Sequence, residues 1–149
     1  MKKSTKLIHV GRPKIGDGTP VNPSITRAST LLLKNAEDLY SGKYRSYGRH
    51  GGEVHDALKA AFCELEGGAG CTLTPSGLAA NTLSILANVK AGDHILVTDS
   101  AYGPVRHFCD TLLKGYGVET DYYPPRIGAG IAALIKPNTS CILLESPGS

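Results

Sequence analysis

The sequence has no long hydrophobic run and little excess of charge of either sign. Hydrophobic residues make up 41% of its 149 residues, yet no apolar stretch approaches the ~20 residues that cross a bilayer. We therefore predict no membrane partner. The 16 basic and 13 acidic residues leave a net charge of +3, too small an excess for the clustered basic face of a nucleic-acid-binding protein. The composition is typical of a soluble globular chain.

Several motifs that would identify a chemistry are also missing. The chain has neither the G-x-G-x-x-G fingerprint of dinucleotide sites nor the G-x-x-x-x-G-K-[ST] run of nucleoside triphosphate sites. It lacks the G-x-S-x-G elbow of serine hydrolases. Its five histidines do not have the spacing of metal ligands. These absences disfavour a dinucleotide, a nucleoside triphosphate, a serine nucleophile and a metal.

The four cysteines form no C-x-x-C pair and lie far apart in the sequence, at Cys63, Cys71, Cys109 and Cys141. Three of them fall within apolar helix or strand patterns. Such cysteines are usually reduced and buried, so we expect a cytosolic protein.

The most informative stretch runs from residue 70 to residue 104. Its pattern predicts a strand at 71–74, a Pro-Ser-Gly turn, a helix at 78–89 and a strand at 94–98. Strand, helix and strand in this order form a right-handed crossover in a parallel sheet. The small residues at the turn leave backbone N–H groups pointing outward at the helix N-terminus, where phosphate binds well.

An aromatic residue, Tyr102, follows the second of these strands. It should lie at the carboxyl edge of the sheet, where such folds bind ligands. A phosphate site beside a flat ring suits a phosphorylated aromatic cofactor. Two simpler interpretations stay open, since Ser76 and Gly77 are common helix-capping and turn residues, and Tyr102 is compatible with a wet loop aromatic.

The rest of the chain alternates helices and strands. We predict a helix at 53–66, another beginning near Pro104, a strand at 118–123, a weak helix at 127–135 and a strand at 141–144. This order is typical of an α/β domain with a mostly parallel sheet and helices on both faces. Apolar residues surround most of the 78–89 helix, which should be heavily buried, with a subunit interface as one place for that burial. Because no crossover follows the last strand, we expect the first part of a larger chain.

Residues 1–52 do not resemble a domain core. Prolines and glycines favour an extended, turning chain, with one strand at 28–33 and one helical turn at 36–40. The polar segment 41–52 carries tyrosines and arginines. It is either a solvated loop or an arm that lies on another surface.

Several motifs resemble one known family. TPSGLAA is similar to the S-G-M-A-A turn of the Cys/Met-metabolism enzymes that use pyridoxal 5′-phosphate (PLP), AYGP to their D-x-x-Y-G segment, and YGRHG to their Y-x-R segment. CELEGGAGC and ESPGS resemble the bacterial cystathionine β-lyase branch more than the γ-enzymes. The resemblance implies the aspartate-aminotransferase-like fold of fold type I PLP enzymes, with an incomplete large domain.

The resemblance also implies roles for particular residues. The backbone amides of Gly77 and Leu78 would bind the cofactor phosphate, and Tyr102 would stack on the pyridine ring and assist proton transfer. Leu78 stands where the family often has methionine, with little expected consequence because the backbone makes the contact. Tyr47 and Arg49 would reach the phosphate of a neighbouring subunit. Residues 1–52 would then be an intersubunit arm of a homodimer or homotetramer, and 53–149 the first part of the PLP-binding domain.

The implied activity is cleavage of cystathionine, a small sulfur-containing amino acid, to homocysteine, pyruvate and ammonia, as in transsulfuration and methionine biosynthesis. A γ-synthase or γ-lyase of the same family and a non-catalytic phosphate-binding fragment are the alternatives. The Schiff-base lysine of the family would follow residue 149. From residue 43 onward, the lysines lie outside any matching motif, at Lys43, Lys59, Lys90, Lys114 and Lys136. We therefore expect residues 1–149 to be inactive alone.

Overall fold

A computed structural model describes residues 1–16 and 18–149 of the chain. These residues form two units, Met1–Leu73 and Thr74–Ser149. The helix predicted at 53–66 belongs to the first unit, although the sequence grouped it with the α/β part. That residues 1–52 are an arm on a neighbouring subunit stays a prediction.

The regular structure of the first unit consists mainly of helices. Its helices are α1 (Lys3–His9), α2 (Ala36–Tyr40) and α3 (Glu53–Glu66), with a 3₁₀ turn at Gly48–His50. The predictions of α2 and α3 are confirmed. Helix α3 ends at Gly67, whose φ of 70° is in the left-handed region that favours glycine.

Helix α1 was not predicted, because its sequence has only a weak apolar face. It packs on α3, and Lys3 Nζ donates a hydrogen bond of 2.6 Å to the carbonyl of Leu65. A Cβ on Gly11 would lie 2.8 Å from the Cα of Ala57. The close approach of the two segments therefore requires glycine at position 11. Tertiary contact with α3, more than local propensity, stabilises this helix.

The strand predicted at 28–33 is wrong. Only an isolated antiparallel bridge joins Thr30 to Tyr47. The N–H of Leu31 donates to the carbonyl of Ser46 at 2.9 Å, and the N–H of Gly48 donates to the carbonyl of Ser29 at 2.7 Å. The opposing segment is rich in glycine and serine and is extended only briefly, so the pairing does not propagate. The bridge nevertheless holds the backbone around Tyr47.

The second unit is built on a parallel sheet, as predicted. Its strands are β1 (His94–Thr98), β2 (Glu119–Tyr123) and β3 (Thr139–Leu143), in the spatial order β2-β1-β3. Central β1 is buried along its whole length. In the register, Val97 lies between Tyr122 of β2 and Leu143 of β3.

Helices connect and cover these strands. They are α4 (Gly77–Leu86), α5 (Gly103–Phe108) continuing through a π-helical turn at Cys109–Leu113, and a 3₁₀ helix at Gly128–Leu134. The last of these replaces the weak helix predicted at 127–135. The path moves from β1 to β2 and then back past β1 to β3, so right-handed connections place the two crossovers on opposite faces. This is the predicted α/β architecture with helices on both faces.

Two predictions for residues 71–89 are wrong. Residues 71–74 form no strand, because among the described residues no strand pairs with them. Helix α4 ends three residues before the predicted 89, where the side-chain amide of Asn88 donates to the carbonyl of Ser84 at 2.8 Å. A side-chain amide that satisfies a terminal carbonyl helps to end a helix.

The heavy burial predicted for α4 is not reached within this chain, and burial of α4 at a subunit interface stays a prediction. Ile85 is its buried residue, whereas Leu78, Leu83 and Leu86 are 38%, 52% and 37% exposed. One side of α4 packs into the core with Val97, Val105 and other apolar residues. A helix that is apolar all round needs a second partner to cover its other side, and a sequence pattern does not identify that partner.

All four cysteines are free thiols, and Cys109 is fully buried while the other three are partly exposed. Burial raises the pKa of the Cys109 thiol to about 11. The cytosolic location stays a prediction. Across residues 1–16 and 18–149, the structure contains no helix with both the length and the apolar character needed to traverse a bilayer.

Candidate functional site

The N-terminus of α4 combines a side-chain cap with unpaired backbone amides. Ser76 is extended (φ −160°, ψ 162°), and its hydroxyl accepts the N–H of Ala79 at 3.1 Å. The carbonyl of Ser76 accepts the N–H of Ala80 at 3.0 Å. Within the part of the chain that the structure describes, the N–H groups of Gly77 and Leu78 have no acceptor. Ser76 is therefore a helix cap, as in the simpler interpretation, and two donors remain for an anion.

Tyr102 lies between β1 and α5, and the residue is 46% exposed. Its backbone N–H donates a hydrogen bond of 3.0 Å to Oε2 of Glu145. The other carboxylate oxygen, Oε1, accepts the hydroxyl of Ser149 at 2.8 Å. The Tyr102 N–H, and then the Ser149 hydroxyl, hold the pKa of the Glu145 carboxyl below its usual value.

The segment 145–149 packs directly on the loop that carries Tyr102. The N–H of Ser149 donates to the carbonyl of Ser100 at 3.0 Å. A Cβ on Gly148 would lie 2.5 Å from Cβ of Ser100, a distance too short for any side chain. The carboxyl ends of β1 and β3 are thereby joined through their following loops.

These elements enclose a cleft of about 500 Å³. Its walls include three of the residues predicted to bind the cofactor, Gly77, Leu78 and Tyr102, together with Glu145 and Asn81. The structure thus brings together a helix N-terminus and an aromatic residue from the carboxyl edge of the sheet. That they bind a cofactor stays a prediction.

The other two predicted residues, Tyr47 and Arg49, lie in the first unit. Nη2 of Arg49 donates a hydrogen bond of 2.6 Å to the hydroxyl of Tyr47, and its Cζ lies 4.8 Å from the centroid of that ring. The rings of His50 and Tyr47 form a T-shaped pair with centroids 5.9 Å apart. Arg45 is engaged differently, in a bidentate pair with Asp56 at 2.6 and 2.7 Å.

The sequence prediction missed the residues that support Tyr102. The ESPGS ending was used for the family resemblance, and Glu145 was given no role. Its place directly after the apolar strand predicted at 141–144, at the edge where ligands bind, was the available signal. Asn81 was also missed, although it follows Gly77 and Leu78 by about one helical turn and therefore shares their face.

The comparisons with known proteins agree with this geometry. Residues 4–149 match the family described as Cys/Met metabolism PLP-dependent enzyme. The chain is 50% identical to a putative cystathionine beta-lyase of Saccharomyces cerevisiae, covering 98% of this chain and 43% of that protein. It is 47% identical to a cystathionine beta-lyase of Haemophilus influenzae, and the match covers 98% of this chain and 38% of that protein.

A solved structure is similar as well. The crystal structure of cystathionine gamma-lyase from Lactobacillus plantarum, complexed with L-serine, superposes with a TM-score of 0.85 at 30% identity, covering 99% of this chain and 38% of that one. The chain therefore spans about two fifths of the length of the curated relatives it matches. A family match over nearly all of its residues, on a parallel sheet with the expected cleft, shows that this chain belongs to the Cys/Met-metabolism family of PLP-dependent enzymes.

Proposed function

We propose that the full-length protein carrying this chain is a PLP-dependent carbon–sulfur β-lyase that cleaves cystathionine. The observation that supports this most is the cleft in which the amides of Gly77 and Leu78 lie with Tyr102. The printed names of relatives at 50% and 47% identity point to the β-lyase reaction in particular. The similar γ-lyase structure is less identical to the chain, at 30%.

The residues of the cleft fit PLP. A phosphate requires hydrogen-bond donors in a positive field, and the first turn of a ten-residue helix supplies both. A pyridine ring requires a flat apolar surface, which the ring of Tyr102 offers. The volume of about 500 Å³ lies within the range of small-molecule sites. When bound, PLP supplies an electron sink for the removal of an α-proton from an amino acid.

The chain's own residues would then have different roles. Gly77 and Leu78 would donate their backbone N–H groups to the phosphate, and Tyr102 would stack on the ring and move a proton with its phenol. Tyr47 and Arg49 would extend to the phosphate in a neighbouring subunit, because a guanidinium binds phosphate with two parallel hydrogen bonds. The functional assembly would be a homodimer or homotetramer.

The products of cystathionine identify the reaction. The full-length protein, loaded with PLP, is incubated with cystathionine, and the keto acid and thiol are separated chromatographically. Cleavage on the β side yields homocysteine, pyruvate and ammonia, which is the expected result. Cleavage on the γ side would yield cysteine and a four-carbon keto acid, and would assign the protein to the γ-lyase type instead. Absence of both keto acids from a PLP-loaded protein would contradict a lyase of either kind.

A further inference from the structure

The carboxylate of Glu145 accepts hydrogen bonds from a backbone N–H and from a hydroxyl of the same chain. Its Oε2 lies 3.0 Å from the backbone nitrogen of Tyr102, and its Oε1 lies 2.8 Å from the hydroxyl of Ser149. Glu145 and Tyr102 are 43 residues apart in sequence. They meet because each follows one of two adjacent parallel strands, β3 and β1.

The backbone N–H and the backbone carbonyl of Tyr102 therefore both form hydrogen bonds. Its N–H is bound by Glu145. Its carbonyl accepts the N–H groups of Val105 and Arg106, at 2.8 and 3.2 Å, in the first turn of α5. A tyrosine ring has two side-chain torsions beyond its backbone, so a fixed backbone restricts where the ring can lie. The bond from Glu145 is the part of this arrangement that comes from a distant segment.

We propose that Glu145 is a positioning residue that sets the orientation of the Tyr102 ring in the cleft. It would act through the backbone N–H of Tyr102, with Ser149 and Ser100 as its support. The part of this inference that concerns PLP rests on the proposed function, because the ring that Glu145 positions is the ring proposed to stack on the cofactor.

A direct contact between Glu145 and the cofactor phosphate fits the structure less well. A carboxylate repels a phosphate group, and both oxygens of Glu145 already accept hydrogen bonds. Direct binding would also make the effect of Glu145 independent of Tyr102. Positioning predicts that its effect disappears when the Tyr102 ring is removed.

The first test is a double-mutant cycle in the full-length protein, using Glu145→Ala, Tyr102→Ala and the combined variant. PLP affinity is measured by the visible circular dichroism of the bound cofactor, which also reports its orientation. We expect Glu145→Ala to weaken PLP binding about tenfold, as the loss of one hydrogen bond to a charged group would, and to change the dichroic band. In the Tyr102→Ala background the same substitution should change affinity by less than about twofold. Equal losses in both backgrounds would overturn the positioning role.

Two further variants separate positioning from a general loss of structure. Glu145→Gln keeps an oxygen that can accept the Tyr102 N–H, and it should retain PLP affinity within about threefold of the wild type. Glu119→Ala removes a carboxylate that pairs with Lys136 at 2.8 Å at the start of β2, and it should leave PLP binding and the dichroic band unchanged. A Gln variant as damaged as the Ala variant would contradict a hydrogen-bonding role.

A second measurement needs no cofactor. Hydrogen exchange of the Tyr102 amide, followed in the PLP-free full-length protein, should accelerate about tenfold or more in Glu145→Ala and stay unchanged in Glu119→Ala, because exchange requires the hydrogen bond to open. Equal exchange in the wild type and in Glu145→Ala would overturn the inference. If amide exchange accelerates in Glu145→Ala as expected but the wild type binds no PLP, the proposed function fails and the positioning of Tyr102 stands.

Discussion

At the scale of single residues, two arginines of similar sequence context have different partners. Arg45 is joined to Asp56 by two hydrogen bonds, whereas Arg49 donates to the hydroxyl of Tyr47 at 2.6 Å. A guanidinium has five N–H donors, so Arg49 keeps donors for an anion beyond its contact with Tyr47. Arg45 has its charge matched within the chain.

This difference predicts the effect of removing each arginine from the full-length protein. Arg49→Ala should lower PLP affinity roughly ten- to a hundredfold, because one charge-assisted contact to phosphate is lost. Arg45→Ala is the matched control and should leave affinity within about twofold, since an exposed ion pair contributes little. Equilibrium dialysis of PLP would measure both. Equal losses in the two variants would contradict a phosphate role for Arg49.

The pKa of Glu145 predicts how the position of Tyr102 depends on pH. The folded-state pKa lies below that of an unfolded glutamate, because the Tyr102 N–H and then the Ser149 hydroxyl stabilise the carboxylate. The contribution of this contact is therefore fully present above the unfolded pKa and is lost as the pH falls through the lowered folded pKa. The Tyr102 amide resonance should be constant near neutral pH and should move only in acid, below the ordinary range of glutamate. In Glu145→Gln this acid transition should be absent, and its persistence there would assign it to another group.

The site was predictable from the sequence only in part, for a physical reason. The turn before the predicted 78–89 helix and Tyr102 were placed together because parallel strands end at the same edge and helix N-termini bind phosphate. The family resemblance implied the roles of Gly77 and Leu78. The contact of Glu145 with the backbone of Tyr102 leaves no such pattern. Any residue can present an N–H group, so side-chain-to-backbone contacts between distant segments are nearly invisible in sequence.

At the scale of elements, whether a helix or strand was predicted correctly depended on how local its stabilising contacts are. Helix α3 and strand β1 have the predicted bounds, because an apolar periodicity and a terminal glycine mark them in the sequence. Helix α1 depends on its contact with α3 and was missed. The predicted strand at 71–74 had a suitable local pattern but found no partner among the described residues. A strand is defined by its neighbour, which local sequence does not reveal.

The junction between Ser100 and Gly148 gives a prediction about these loops. Gly148→Ala in the full-length protein would place a Cβ 2.5 Å from Cβ of Ser100, so the segment 145–149 must shift. We expect destabilisation of about 1–3 kcal/mol, as for other overpacked sites, measured by urea unfolding. Gly115→Ala is the control, because a Cβ there would contact nothing within 4 Å. A Gly148→Ala protein as stable as the control would show that the two loops are not packed as described.

At the scale of the whole molecule, the apolar residues of α4 exceed what its own unit covers. Leu78, Leu83 and Leu86 stay partly exposed beside the buried Ile85. The predicted subunit neighbour would provide a cover for such a face, and it would also bring a second copy of Tyr47 and Arg49. Both parts of the assembly prediction can be tested in one mixing experiment.

Hybrid dimers distinguish an arm that reaches the neighbouring subunit from one that serves its own. Subunits carrying Arg49→Ala are mixed with subunits carrying Tyr102→Ala, and lyase activity is followed after subunit exchange. If the arm reaches over, each hybrid combines both lesions in one site and leaves the other intact, so about half of the wild-type activity per hybrid dimer should return. If each site uses its own Arg49, every site carries one lesion and no activity returns. Exchange itself is verified independently with labelled subunits.

Alkylation of the buried Cys109 thiol reports on unfolding of the second unit. Alkylating reagents react with thiolates, and Cys109 combines a pKa of about 11 with complete burial. Its labelling should lag far behind that of Cys63, Cys71 and Cys141, which are partly exposed. The rate at which Cys109 is modified then measures how often the residues around β1 open, and it should rise in parallel with any loss of stability. Mass spectrometry of alkylated Cys109 peptides would measure that rate in a mixture or a crude extract, without purified protein and without an assay for activity.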